Sequence, residues 1–194
     1  MIGIAYLFSV VVTISNQYAC GAVAVAHRAA ELLGYEVIDS QLPVIVEKGR
    51  SLGSRLLEGL ERVTPEVASA GVVESHSEIF VRAVEDAVRQ FSAEGNVVIV
   101  GRGAGAILGR RSDVLRVFMH APREWRIERA RSEFGLDEVN VSAQLDRMDK
   151  ARKAYLRDWY GIEFGANTDL SIDTSTFGIE GSAALIVAAV NSRT

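Results

Sequence analysis

Three stretches of the chain combine residue types and spacing suited to chemistry. Gly101-Arg102-Gly103-Ala104-Gly105-Ala106 follows the apolar run Val97-Val98-Ile99-Val100. Arg102 is thereby placed at a strand's carboxyl end, where a guanidinium points into the ligand crevice of an open sheet. The same six residues fit G-x-G-x-x-A, so an NAD-type dinucleotide site is an alternative. Against it, the helical stretch that follows, about Ala104 to Leu108, is too short for that fingerprint's crossover helix, and no acidic residue ends the next strand. Ser15-Asn16-Gln17-Tyr18-Ala19-Cys20-Gly21-Ala22-Val23 lies between a β-branched run and a helical one, where backbone N–H groups converge on an anion. Of the template G-x-x-x-x-G-K-[ST] only Gly21 is present, because Asn16, Ala22 and Val23 occupy the first-glycine, lysine and hydroxyl positions. A plain strand-to-helix turn and a phosphate-binding loop both fit this stretch. Arg123 to Arg157 holds Arg123, Arg126, Arg129, Arg131, Arg147, Arg152 and Arg157 with Asp146 and Asp149. Arg126 and Arg129 share a helix face, as do Asp149 and Arg152. This is either a solvated helix pair laced by ion pairs or an arginine-bearing lid that closes over polyphosphate.

The elements that must hold these residues alternate. Leu7 to Ile14 is dominated by β-branched residues and reads as a buried first strand. Val23, Ala26, Ala30 and Leu33 recur at helical spacing over Gly21 to Leu33, with Gly34 as the stop. Tyr35 to Asp39 is a short second strand, two shorter helical stretches run to about Val63, and Thr64-Pro65 breaks the chain. An amphipathic stripe predicts a long helix over much of Glu74 to Ala93. Val97–Val100, Val114–Met119 and Leu170–Asp173 are further strands. Helices are expected from Pro122, from about Val141 to Tyr160, and from Ile179 to about Val190, with Pro122 in a first helical turn. Such alternation predicts a mainly parallel sheet with helices on both faces and ligands at the strands' carboxyl ends.

Length and composition set the bounds. The 194 residues correspond to one domain, spanning 1–194 with the lid at about 123–160, large enough to bury about 70% of the unfolded surface. With 48% hydrophobic and 24% charged residues, the chain is neither disordered nor dependent on staples. A net charge of -4 argues against a nucleic-acid or anionic-membrane binder. Of the 21 basic residues only Lys48, Lys150 and Lys153 are lysine, an arginine bias that suits phosphate recognition and equally fits genome composition. Cys20 alone excludes an internal disulfide and a cysteine-based zinc cage. The apolar start, Met1 to Ile14, is shorter than the ~20 residues of a membrane span and has no basic residue before it, so a cytoplasmic protein is expected rather than a secreted one.

The order of the segments resembles the cytidylate kinase-like family of P-loop nucleotide kinases over most of the chain. The residues that carry the likeness are Val11-Val12-Thr13-Ile14-Ser15 with Tyr18 and Gly21, then Ala29 to Gly34 with Ile38-Asp39. Val98 to Ala104, Val114 to Phe118 and Ala121-Pro122 follow, with Arg126 and Arg129. Asp149-Lys150-Ala151-Arg152, Asp169 to Ser175, and Gly178-Ile179-Glu180 complete the set. The resemblance implies a three-layer α/β fold, with a five-stranded parallel sheet and a helical lid. It further implies ATP with Mg²⁺ as phosphoryl donor and a pyrimidine nucleoside monophosphate, CMP or dCMP, as acceptor. By the same resemblance Ser15, Gly21, Ala22 and Val23 cradle ATP, Arg126 and Arg129 serve the donor side, and Arg102, Asp149 and Arg152 hold the acceptor with Asp39 near it.

The first loop departs from the family pattern. Relatives carry lysine and a hydroxyl, or Gly-Gly-Arg, where this chain has Ala22 and Val23, and no lysine precedes Lys48. No residue of the loop is assigned to a metal. A replacement cation is sought in Arg126, Arg129 or Lys150. Turnover, nucleotide binding without turnover, and a scaffold that keeps only the fold are the three readings this leaves.

Overall fold

A computed structural model of the chain describes residues 9–39, 78–134 and 138–193. In chain order the elements are β1 Val11–Asn16, α1 Ala22–Leu33, β2 Glu36–Ile38, α2 Glu78–Glu94, β3 Val97–Val100 and α3 Ala104–Leu108. They continue with β4 Val114–His120, α4 Arg123–Phe134, α5 Glu138–Tyr160, β5 Leu170–Asp173 and α6 Thr174–Asn191. The expected helical stretches up to Val63 and the break at Thr64-Pro65 lie outside the described residues, as do Met1 to Phe8.

The strands form one sheet in the order β2-β3-β1-β4-β5, and all four pairings are parallel. Valine-rich β1 is central because both its faces are covered, and Val11 and Val12 are fully buried. On one face Val12, Ile14, Val98 and Val117 pack against Val25, Ala26 and Ala29 of α1 and Ala183, Ile186 and Val190 of α6. On the other, Val11, Val97 and Ile99 meet Val84, Val88 and Phe91 of α2 and Ile107 of α3. Each buried valine or isoleucine contributes about 1.5–3 kcal/mol of transfer free energy. Those two cores account for the layered architecture.

Several boundaries differ from the sequence reading. β1 starts at Val11 and runs on to Asn16, because Ser15 and Asn16 find partners in Phe118 and Met119 of the longer β4. Pro122 precedes α4 rather than opening it, and its carbonyl accepts the Arg126 N–H at 3.1 Å. Gly178 (φ 62, ψ −170) interrupts α6, so the turn Thr174–Phe177 is a separate piece, capped by Asp173 through Ser175 N at 2.9 Å. The regular helix then starts close to Ile179, as its apolar spacing predicts.

Arg116 of β4 is 5% exposed and bound to Asp169 three times, through its backbone N at 2.9 Å, Nε at 3.1 Å and Nη2 at 2.7 Å. That guanidinium holds the Asp169 carboxyl below its ordinary range. Among the described residues, no helix is long and apolar enough to cross a membrane.

Because every strand is parallel, Asn16, Val100, His120 and Asp173 end at one edge of the sheet. From adjacent β1 and β3 the chain departs to opposite faces, into α1 and α3 respectively. The crevice between their loops is the topological switch point, where ligands bind in sheets of this kind. Gly101 N donates to Ile14 O at 2.8 Å and fixes the two loops side by side.

Candidate functional site

The loop after β1 has the backbone of an anion cradle. Ala19 (φ 60) and Gly21 (φ 82) are left-handed on either side of Cys20. A Cβ on Gly21 would meet Ile179 Cδ1 at 3.2 Å and Arg129 Nε at 3.3 Å, so this glycine is required by both its conformation and its neighbours. The first N–H groups of α1 have no acceptor within the helix, and neither a capping side chain nor an acidic residue stands in its first turn. From beneath, Gln17 N donates to Met119 O at 3.0 Å, and fully buried Thr174 donates from Oγ1 to Cys20 O at 2.7 Å.

Burial pushes the Cys20 thiol above its ordinary value. In the native protein Cys20 should therefore react with a chromogenic disulfide at neutral pH far more slowly than in denaturant. Equal rates would mean that the loop does not keep this closed form in solution.

Helices α4 and α5 lie on the same loop. Their small core of Ala130, Val141 and Leu145 takes in Tyr18 and Ala19. Asp149 accepts from Tyr18 N at 2.8 Å and from Arg126 Nη1 at 2.7 Å, and Arg126 also donates to Tyr18 O at 3.0 Å and Ala121 O at 3.2 Å. Arg152 donates to Asn16 O at 2.7 Å and stacks over the Tyr18 ring at 5.7 Å, and Gln144 bonds the Tyr18 hydroxyl at 2.9 Å. Burial disfavours the charge on Arg152, which Asp149 beside it partly offsets.

The three candidate cations are thereby separated. Arg126 is 5% exposed and committed to internal acceptors. Lys150 is exposed on α5. Arg129 lies against Gly21, stacked over Trp125 at 5.9 Å and paired to Glu133 at 3.2 Å, and its buried Nε has no hydrogen-bond partner. Ser15 is half-buried in β1, Ala22 is buried, and Val23 is 43% exposed on the first turn of α1.

The second loop turns through three successive left-handed residues, Gly101 (φ 74), Arg102 (φ 57) and Gly103 (φ 69). Burial lowers the proton affinity of Arg102, while Tyr155 and Asp39 counteract it. Asp39 also faces His27 at 3.7 Å. Gly103 lies under two rings, since a Cβ there would be 3.1 Å from both Tyr155 and Tyr160. Their hydroxyls are 3.3 Å apart, and burial raises both phenols above the ordinary value. The sequence reading names Asp39 and Arg102 but not the two tyrosines beside them, whose spacing of five places them on no single helix face. It also missed Gln144 and Thr174, for which no local signal exists.

The donor set around the first loop does not fit a protein-held divalent ion. Val23 replaces the hydroxyl, both Asp149 oxygens accept hydrogen bonds within the protein, and no group of three His, Cys, Asp or Glu side chains that could hold an ion occurs among the described residues.

The model of the family described as cytidylate kinase-like matches residues 11–176, which contain both loops and the two helices over them. The chain belongs to the cytidylate kinase-like family. This member is 24% identical over 199 aligned positions to a cytidylate kinase of Methanopyrus kandleri, covering 96% of this chain and 95% of that enzyme. A cytidylate kinase of Methanoculleus marisnigri is 27% identical over 100 residues, and there the match spans about half of each protein, 50% of this chain and 54% of the relative. Among solved structures, a protein of Eubacterium ventriosum superposes with a TM-score of 0.72 at 18% identity over 95% of this chain and 99% of that one. Shikimate kinase from Acinetobacter baumannii, in complex with shikimate, gives 0.57 at 15% over 96% and 94%. These likenesses show the fold alone, a five-stranded parallel sheet with helices on both faces that the chain shares with shikimate kinase.

Proposed function

We propose that this chain transfers the γ-phosphoryl group of ATP to a pyrimidine nucleoside monophosphate, CMP or dCMP. A phosphate oxygen of the acceptor attacks the γ-phosphorus, the bond to the β-phosphate oxygen breaks, and ADP leaves with that electron pair. The observation that carries the reading is the Arg129 guanidinium packed on Gly21 with an unbonded buried Nε. It supplies positive charge at the cradle where Ala22 and Val23 supply none. Phosphoryl transfer needs positioning and charge neutralisation rather than covalent catalysis, so a cation from α4 serves as well as one from the loop.

In this scheme the amides of Gly21, Ala22 and Val23, at the start of α1, hold the β-phosphate. Arg129 neutralises the transferring group, and Arg102 holds the acceptor phosphate, with Asp39 and Tyr155 beside it. Mg²⁺ would arrive with ATP, and no step is assigned to an ion held by the protein. Exposed Val23 in the place of a metal-binding hydroxyl favours a second reading, nucleotide binding without turnover.

One experiment separates them. ATP and CMP, each at about 100 times its Kd, should stabilise the fold by ~2.7 kcal/mol, roughly 5–10 °C in melting midpoint. Mixed with Mg²⁺ they should then yield ADP and CDP, resolved by chromatography. Binding of both without CDP formation supports the second reading and removes the first; binding of neither removes both.

A further inference from the structure

Asp149 is the residue on which the first loop and the two helices above it converge. One carboxylate oxygen takes the Tyr18 N–H at 2.8 Å, and the other takes Arg126 Nη1 at 2.7 Å. Its side chain is 14% exposed and that of Arg126 is 6% exposed. The same Arg126 nitrogen donates to Tyr18 O at 3.0 Å, so one residue of the loop is gripped at both its N–H, through Asp149, and its carbonyl. Arg126 lies one helical turn before Arg129 on α4. Pinning Arg126 therefore sets the rotation and height of α4 at which Arg129 meets Gly21. Each oxygen of this carboxylate already holds a partner within the protein, a backbone amide on one and a buried guanidinium on the other, which gives it an internal task.

We infer that Asp149 is a positioning residue that, through Tyr18 and Arg126, sets the shape of the phosphate loop and the placement of Arg129 over it, and that it contacts neither nucleotide. This rests on the ATP-binding role proposed for the loop. The family resemblance places Asp149 among the acceptor ligands, so the two assignments predict opposite outcomes.

The test compares Asp149→Ala and Asp149→Asn with the wild type in separate calorimetric titrations with ATP and CMP, together with hydrogen exchange at the Tyr18 amide. The alanine variant should bind ATP about 10- to 100-fold more weakly, because loop and cation lose their register, while its CMP affinity stays within about twofold. Exchange at Tyr18 should accelerate, whereas the β1 amides stay protected. Asparagine retains an acceptor for the Tyr18 N–H and should restore most of that protection without restoring the ion pair.

A loss of CMP affinity with ATP binding intact would overturn the inference in favour of a direct acceptor contact. A lower melting midpoint with both affinities and the Tyr18 exchange unchanged would reduce Asp149 to a stabilising residue. If the alanine variant does not fold, Asp149→Asn and Arg126→Lys give the same ATP-against-CMP comparison. A wild type that binds neither nucleotide refutes the kinase reading by itself, and the Tyr18 exchange then decides the positioning role alone.

Discussion

Arg129→Ala is expected to weaken ATP binding by about 10- to 100-fold, the equivalent of one charge-assisted hydrogen bond, and to leave CMP binding unchanged. Stability should hardly move. Among the described residues the ion pair lost is the i,i+4 contact with Glu133, whose side chain is half exposed; such pairs contribute about 0.3–0.5 kcal/mol, and the stack over Trp125 goes with it. Binding and folding effects are thus separable, and titration calorimetry beside chemical denaturation reads both. Adding Val23→Arg to the alanine variant is the complementary measurement. It places a cation on the first turn of α1 at an exposed position and should return part of the lost ATP affinity. Arg129→Ala with wild-type ATP affinity would refute the assignment and make Lys150 the next cation to test.

Asp169→Ala should lower stability by about 3 kcal/mol, near 6–12 °C in melting midpoint, because it leaves the Arg116 guanidinium buried without its carboxylate. Arg116→Met should cost less, since the Asp169 side chain left behind is 25% exposed and can be hydrated. The folded-state pKa of Asp169 lies below its unfolded value. Its contribution is therefore complete above the unfolded value of about 3.9 and disappears as pH falls through the folded one. Denaturation of wild type and variant at pH 7 and again below pH 3 should show the gap closing. A gap that does not change with pH would mean that packing, not charge, is what the substitution removed.

The middle of the sheet is legible in the sequence because β1 and β3 are written as β-branched runs, Val10-Val11-Val12-Thr13-Ile14 and Val97-Val98-Ile99-Val100, bounded by turn residues. β3 is read to the residue, and the α3 turn is read as too short for a dinucleotide helix. β1 is displaced toward its C-terminus because pairing with β4, far away in sequence, extends it to Asn16. At the site, Arg102 and Gly21 are visible from punctuation alone: a charge between glycines after a strand, and a glycine opening a helix. The division of labour among the arginines is not. Arg126 and Arg129 share spacing and composition, and only contacts with Tyr18, 108 residues from Arg126, and with Gly21 distinguish a buried brace from a cation facing the cradle. The Asp149 bond to the Tyr18 amide spans 131 residues and has no local signature.

The left-handed turn after β3 bears on what mutation would do to this protein. A left-handed backbone costs a side-chain-bearing residue roughly 1–2 kcal/mol and costs glycine almost nothing. Gly101 and Gly103 meet that demand without strain, while the residue between them carries the longest side chain of the three. By backbone energetics alone a third glycine would be the more stable occupant. In the proposed scheme, where Arg102 holds the acceptor phosphate, arginine at 102 is thus a local concession of robustness to chemistry. A search for sturdier variants would reach Arg102→Gly early and discard the guanidinium, whereas a search for ligand-competent ones would keep the strained residue and gain its stability elsewhere.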